Sequence, residues 1–226
     1  MYCQEVVLLL YLWFNEWIMI EVIFDVETQK LFEEIAERDP GKLLVSVVSV
    51  YRRELDENNR EISGAMKSFW IDEAKREPRI GGMWPWFEEA DRIIGFNSLG
   101  FDVPALQPLY KGDFGKLNHF DIMDEVKKVL GHRLSLDAIA KETLSKTKSG
   151  VGTQAVEWWK AGDEKSLNLL QKYCEMDVEV TKDVYDFGLE NKKLKYMDRW
   201  NELREMEVDF SYLKEEPETE TQMGLF

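Results

Sequence analysis

The sequence predicts an α/β fold in which helices pack on one sheet. Three runs rich in apolar and β-branched residues follow one another in the first third of the chain, and each has the composition of a strand. Strand-like runs then alternate with segments whose apolar residues recur at helical spacing. Three strands in succession indicate a hairpin at one end of the sheet. The 226 residues are enough for one such domain and a tail.

Each predicted element has a local signal in the sequence. The second strand has the clearest, because 43–51 reads LLVSVVSVY. A polar turn at 56–59 separates it from the third strand. The last helix is the longest, with apolar residues at helical spacing from Leu167 to Tyr185. Strands are predicted at 19–25, 43–51, 66–71, 92–96 and 119–123, and helices at 83–90, 101–110, 123–130, 134–144, 155–159 and 166–189.

The composition excludes several classes of function. A formal net charge of −15 argues against a protein that coats DNA. Two cysteines are too few for a disulfide framework or a zinc site with four ligands, and this fits a reducing cytoplasm. The two histidines, His119 and His132, belong to no HExxH-like pattern, which disfavours zinc hydrolase and Ser–His chemistry.

The two ends of the chain differ from its body. Residues 1–18 are expected to be an extension, with Met19 as an alternative start, or else an extra helix that packs on the core or a partner. The apolar run at 6–14 is shorter than the ~20 residues of a membrane span and has no signal-peptide features. The main domain is expected at 19–212. The acidic tail at 213–226 is expected to be disordered.

A pair of acids lies at the end of the first predicted strand. Asp25 and Glu27 are two residues apart, so a strand places both side chains on one face. Adjacent carboxylates repel each other unless a positive charge lies between them. A divalent metal ion is the usual counter-charge at such a pair. The pattern D-x-E is common by chance, and by itself it is weak support for a metal site.

Two later segments supply further acids. Asp102 follows the predicted strand 92–96, where side chains of an α/β sheet gather into sites, although an N-cap is the alternative role. Tyr173 and Asp177 are four residues apart and share one face of the last helix. The alternative for Asp177 is a boundary residue paired with Lys182.

The three segments in order resemble the DEDD (DnaQ-like) superfamily of 3′→5′ exonucleases. They read D-x-E, N-x-x-x-F-D-x-x-x-L and Y-x-x-x-D, and the resemblance covers 19–189. Lys172 stands where the histidine subclass has histidine, so the tyrosine subclass (DEDDy) matches. The resemblance implies a ribonuclease H-like fold, with a mixed five-stranded sheet flanked by helices. It also implies two divalent ions, Mg²⁺ or Mn²⁺, held by Asp25, Glu27, Asp102 and Asp177, and a water aligned by Tyr173.

The choice of ligand type agrees with the chemistry of phosphodiester hydrolysis. Two hard cations activate water and stabilise the leaving oxygen, and they prefer carboxylate oxygens to sulfur or imidazole. The basic loop at 146–152 is interpreted as a contact for substrate phosphates, and a solvated loop is the alternative. For Trp158 and Trp159, helix packing is favoured over stacking on terminal bases. Candidate substrate contacts are Thr28, Asn97, Phe101, Lys146 and Lys148.

The chain ends in a peptide of a different kind. Two large apolar residues after an acidic tail indicate a partner that covers them. The last five residues, QMGLF, resemble the bacterial sliding-clamp-binding pentapeptide, in which Gln222, Met223, Leu225 and Phe226 would contact the clamp. This resemblance favours DNA over RNA as the substrate and a setting in replication or repair.

The resulting expectation is a metal-dependent 3′→5′ exonuclease. It would act on 3′ ends of single-stranded DNA and release nucleoside 5′-monophosphates. The protein is expected in the cytoplasm, with no membrane as a partner. One alternative is an exoribonuclease of the same superfamily. Another is a catalytically inactive accessory module that binds a clamp or nucleic acid.

Overall fold

The sheet that the sequence predicts lies at the centre of the molecule. The computed structural model describes residues 18–72, 76, 78–145 and 152–212. Five strands lie in the spatial order β3-β2-β1-β4-β5, so the first strand of the chain occupies the middle of the sheet. The strands are β1 Met19–Thr28, β2 Val45–Leu55, β3 Glu61–Trp70, β4 Arg92–Gly95 and β5 His119–Asp121.

The first three strands form an antiparallel meander. The first six residues of β2 are all buried, as expected for a β-branched run inside a sheet. Asp56 builds the turn to β3, because its side chain accepts hydrogen bonds from the N–H groups of Asn58 and Arg60. The hairpin predicted at 56–59 is therefore confirmed.

The last two strands of the sheet run parallel to β1. Parallel neighbours need crossover connections, which here run through the helices between the strands. The carboxyl ends of β1, β4 and β5 therefore lie at one edge of the sheet. This is the edge at which α/β sheets gather functional side chains.

One long helix packs against one face of the sheet. It starts after Asp163, whose side chain caps it by accepting the N–H of Ser166 at 3.0 Å, and it ends at Lys192 in the left-handed conformation. It extends two residues beyond the predicted 166–189 at each end. The helices are α1 Trp84–Glu88, α2 Asp102–Leu106, α3 Ile122–Leu130, α4 Leu136–Leu144, α5 Gly152–Ala161 and α6 Glu164–Asn191.

Apolar side chains cover both faces of the sheet. On one face Phe24 packs edge-on against Phe87 of α1, with ring centroids 5.1 Å apart. On the other face Ile23 packs in a cluster with Val178 of α6. Successive strand residues alternate between faces, so Asp25 shares the α6 side with Ile23. The predicted pairing of Asp25 and Glu27 on one face therefore also places both towards α6.

A second, two-stranded sheet follows α6 and was not predicted from the sequence. It pairs β6 Lys193–Met197 with β7 Leu203–Glu207. The two strands carry two and three charged side chains of five, and only Leu194 and Met206 are buried in them. A strand with one buried side chain has little apolar pattern to reveal it.

Several expectations fall on residues that the structure does not describe. These are residues 1–17, the lysines Lys146 and Lys148, and the tail at 213–226 with its terminal peptide. Across the described ranges, no helix combines the length and the apolar character needed to cross a membrane.

Gly188 allows α6 to approach the segment that follows β7. A Cβ at Gly188 would lie 2.1–2.7 Å from three ring atoms of Phe210. Gly188→Ala should therefore lower the free energy of unfolding by about 1–3 kcal/mol, even though alanine favours the helix by about 1 kcal/mol. Urea unfolding followed by circular dichroism measures the change. Gly81→Ala is the control, since nothing lies within 4 Å of the added Cβ; equal stability of the two variants would contradict the close packing.

Candidate metal centre

The central strand carries the first two acids of the site. Asp25 and Glu27 lie at the carboxyl end of β1 on the face that meets α6. Asp25 is half-buried, and Glu27 is 9% exposed. Burial of a carboxylate pair is costly unless a cation compensates it, so this end of β1 is a candidate cation site.

The long helix brings a third acid to the same place. One oxygen each of Asp25, Glu27 and Asp177 lies within 4.8 Å of the other two. The alternative partner of Asp177 is engaged elsewhere, because Lys182 pairs with Asp186 at 2.8 Å. Hard oxygen donors at this spacing fit Mg²⁺ or Mn²⁺.

The fourth acid reaches the site from a different element. Asp102 is the first residue of α2, and the N-cap position belongs to Phe101, so Asp102 does not have the capping role considered above. Its Oδ1 accepts the N–H of Val26 at 3.1 Å, which ties α2 to β1. Burial, together with smaller contributions from the charges of Asp121 and Asp177, raises the pKa of Asp102 to about 8. A bound cation would offset this penalty.

One cavity of about 410 Å³ joins the predicted residues. The four acids, Tyr173 and the candidate substrate contacts in the described ranges all line it. These are Asp25, Glu27, Thr28, Asn97, Phe101, Asp102, Tyr173 and Asp177.

The loop after β1 adds lining residues that the sequence did not identify. Lys30, Leu31 and Phe32 contribute to the cavity wall. Phe32 is 37% exposed and meets Phe101 edge-on, with ring centroids 6.0 Å apart. The helical spacing of Leu31, Phe32 and Ile35 predicts a short helix or loop, and a 3-10 helix does begin at Phe32. That spacing does not mark residues that line a site, and nearness to D-x-E was the one available signal. The two rings form an apolar wall beside the acids.

Asp121 organises the loop that leads to α2, and its role was also missed. Its side chain accepts the N–H groups of Asn97 at 2.8 Å, Leu99 at 2.9 Å and Met123 at 2.9 Å. Burial raises the pKa of this carboxyl. An Asp before a helical pattern signals an N-cap, and Asp121 does cap α3. Its bonds to the loop at 97–99 depend on tertiary structure and leave no local signal.

A thiol lies directly behind Asp25. The Sγ of Cys174 is 3.4 Å from the backbone oxygen of Asp25 and 3.7 Å from its Oδ2. Burial raises the pKa of Cys174, and the charges of Asp25 and Glu27 raise it further. The thiol therefore keeps its proton, and its S–H group donates a hydrogen bond to Asp25.

The two tryptophans of α5 pack as predicted. Trp159 is 6% exposed and stacks on Trp70. Trp158 meets the ring of Tyr173 edge-on at 6.0 Å between centroids. The second contact fixes the plane of the Tyr173 ring, which lines the cavity.

The raised pKa of Asp102 predicts the pH response of the metal-free protein. An unfolded aspartate titrates near 3.9, whereas the folded group titrates at about 8, so the fold favours the protonated acid. This group therefore costs the wild-type protein stability as the pH rises from about 4 to about 8. Asp102→Asn keeps an oxygen for the N–H of Val26 and removes that cost. In EDTA, its Tm should rise relative to wild type as the pH increases from about 5 to about 8.

Differential scanning fluorimetry across this pH range measures the difference. Glu179→Gln is the matched control, because Glu179 is an exposed acid on α6. Its Tm difference from wild type should stay constant with pH. A constant difference for Asp102→Asn as well would contradict the burial of a neutral acid.

Known proteins resemble the chain over the region that carries these residues. Residues 22–187 match the RNase_H_2 family model of the RNase_H superfamily. No curated protein matches the chain. Among solved structures, the family B DNA polymerase of the hyperthermophilic archaeon Pyrobaculum calidifontis is similar, with a TM-score of 0.53 and 20% identity.

That structural similarity covers 76% of this chain and 24% of the polymerase chain, so the chain spans about a quarter of the polymerase. At this identity the likeness is one of fold, and it agrees with the mixed five-stranded sheet flanked by helices. The family match includes most of β1 and most of α6, and so includes all four acids and Tyr173. The ribonuclease H-like fold expected from the sequence is confirmed, and the chain belongs to the RNase_H_2 family of the RNase_H superfamily.

Proposed function

We propose that this protein is a metal-dependent 3′→5′ exonuclease of the tyrosine subclass. The observation that carries the proposal is the convergence of Asp25, Glu27 and Asp177 within 4.8 Å, in a cavity that Asp102 and Tyr173 also line. Family membership supports a nuclease, and the order of the motifs supports the exonuclease class.

The acids would hold the ions, and the remaining residues would arrange the substrate. Two divalent ions, when bound, polarise the phosphodiester, activate water and stabilise the leaving oxygen. The four carboxylates balance the charge of two such ions. A phenol with an ordinary pKa near 10 is a poor base at neutral pH, so Tyr173 would orient the attacking water and not deprotonate it. The ring of Trp158 holds Tyr173 in place for this role.

The reaction removes one nucleotide from the 3′ end. The water oxygen forms a bond to phosphorus, and the bond from phosphorus to the 3′ oxygen of the preceding nucleotide breaks. That oxygen takes up a proton, and the terminal residue leaves as a nucleoside 5′-monophosphate. Thr28 and Asn97 would contact the terminal nucleotide, and the ring of Phe101 beside Phe32 offers an apolar surface for its base. Lys146 and Lys148 are proposed to contact phosphates from their sequence position.

Neutral variants of the acids test the reaction. Asp25→Asn and Asp177→Asn should each lower the cleavage rate by about 100-fold or more, because metal ions supply several kcal/mol of transition-state stabilisation. EDTA should stop cleavage by wild type, and Mg²⁺ or Mn²⁺ should restore it. Glu179→Gln, an exposed change two residues from Asp177, should cleave at the wild-type rate. Undiminished cleavage by Asp25→Asn and Asp177→Asn would refute the proposal.

Labelled substrates define the polarity and the nucleic acid. A 5′-labelled single-stranded DNA should shorten stepwise from its 3′ end, and a 3′ label should appear at once as mononucleotide. An RNA of the same sequence should be degraded more slowly. Faster degradation of RNA would select the exoribonuclease alternative, whereas binding of nucleic acid without cleavage in any metal would select the inactive accessory module.

We further propose that the terminal peptide binds a bacterial sliding clamp. The basis is the resemblance of Gln222, Met223, Leu225 and Phe226 to the clamp-binding pentapeptide, and this partner supports DNA as the substrate. Leu225→Ala/Phe226→Ala should abolish clamp binding in surface plasmon resonance and leave cleavage of short oligonucleotides unchanged. Thr221→Ala, just outside the peptide, should bind normally. Equal binding by both variants would refute the clamp contact.

A further inference from the structure

A buried polar cluster lies on β1 and α6 away from the acids of the candidate metal centre. Glu21 and Tyr185 have no exposed surface, and Arg53 is 4% exposed. The Oε2 of Glu21 accepts from Arg53 Nη2 at 2.6 Å and Nε at 2.8 Å, and Oε1 accepts from the Tyr185 hydroxyl at 2.6 Å. The proposed reaction uses none of these groups. Buried ion pairs also add little net stability, so the cluster calls for another explanation.

The cluster connects the long helix to three strands. Arg53 is the cross-strand partner of Glu21, and it also pairs with Asp186 of α6 at 2.7 Å. The Tyr185 hydroxyl accepts a hydrogen bond from Arg92 of β4 at 3.0 Å. Two consecutive residues of α6 are therefore held by directional bonds to β1, β2 and β4.

The separation between the polar cluster and the candidate metal centre is about the same along β1 as along α6. Glu21 and Asp25 are four residues apart on β1, which spans about 13 Å. Tyr185 and Asp177 are eight residues apart on α6, which spans about 12 Å. The two elements run in opposite directions, because Asp25 meets Asp177 and Glu21 meets Tyr185. The distance from the Glu21–Tyr185 contact to the Asp25–Asp177 contact is therefore about the same along both elements.

Between these contacts the interface is mainly apolar. The side chains of Ile23, Val178 and Val184 are fully buried there. Thr181, midway between Asp177 and Tyr185 on α6, is a buried polar residue in this stretch. Apolar contacts tolerate a small sliding of one element along another, whereas a hydrogen bond of 2.6 Å does not. Metal ligands must be placed to within a few tenths of an ångström. A hydrogen bond between the two elements therefore fixes the helix along its own axis more sharply than the apolar contacts do.

We propose that the hydrogen bond from Tyr185 to Glu21 sets the axial position of α6 on β1, and thereby places Asp177 against Asp25 and Glu27. Tyr185 is a positioning residue for divalent-metal binding. The inference rests on the proposed function for the identity of the site, but ion binding without substrate tests it separately.

The test removes one hydroxyl. Tyr185→Phe keeps the ring contacts with Phe120 and Phe210, so the packing of α6 is preserved. Mn²⁺ binding, measured by electron paramagnetic resonance without substrate and well below the Tm, should weaken about tenfold, as for other residues that orient metal ligands. The kcat on an oligonucleotide should fall while KM stays unchanged. Glu21→Gln, which alters the acceptor instead of the donor, should weaken Mn²⁺ binding as well.

Tyr110→Phe is the matched control. The Tyr110 hydroxyl also donates to a glutamate, Glu88, at 3.2 Å, but this bond does not involve α6. Its removal should leave Mn²⁺ affinity and kcat at wild-type values. A loss of affinity equal to that of Tyr185→Phe would overturn the inference, because it would show that any lost hydroxyl has this effect.

A double variant separates positioning from general loosening. In an Asp177→Asn background, Tyr185→Phe should cause no further loss of Mn²⁺ affinity, because the ligand that it positions is already gone. A full additional loss, or wild-type affinity and kcat in the single variant, would overturn the inference. Wild-type protein that binds no Mn²⁺ would overturn the proposed function as well, so the two failures are distinguishable.

Discussion

The repulsion among carboxylates at the end of β1 is the constraint on which the rest of the structure depends. Asp177 lies 150 or more positions along the chain from Asp25 and Glu27, yet one oxygen of each converges within 4.8 Å where β1 meets α6. Such a cluster opposes its own formation, and burial strengthens the repulsion. The opposing free energy comes from apolar burial, at about 1.5–3 kcal/mol for each fully buried large side chain. The central strand and the helix that covers it supply many such side chains.

Neutral donors around the acids lower part of this cost. Asp102 accepts the backbone N–H of Val26, and Cys174 contributes a protonated thiol to Asp25. Asp121 fixes the loop before α2 through backbone N–H groups alone. These donors are uncharged, so they hold the carboxylates in place without neutralising them.

The sequence revealed those parts of the site that lie on regular elements. The period of a strand puts Asp25 and Glu27 on one face, and the period of a helix does the same for Tyr173 and Asp177. The five strands and the long helix were predictable for the same reason. Asp102 required the resemblance to a family, because its local pattern is that of a helix cap. The cavity wall at 30–32 lies where a loop leads into a short 3-10 helix, and the spacing of its apolar residues does not show that they line a site.

The contacts that the sequence could not reveal are those between distant, individually ordinary residues. Glu21 reads as one acid in an apolar strand, and Tyr185 as one more buried residue on a helix. Their partnership depends on the alignment of β1 with α6 and on the register with β2.

The register of β1 with β2 also distinguishes the two ends of β1. It places Arg53 opposite Glu21, and Ser49 and Val47 opposite Asp25 and Glu27. At one end the second strand supplies a guanidinium, and the carboxylate becomes part of a closed, internal ion pair. At the other end it supplies a hydroxyl and a methyl-bearing side chain, and α6 adds a further acid. One face of β1 therefore carries both the Glu21 cluster that holds α6 and a candidate cation site. The two differ in the side chains that β2 places opposite them.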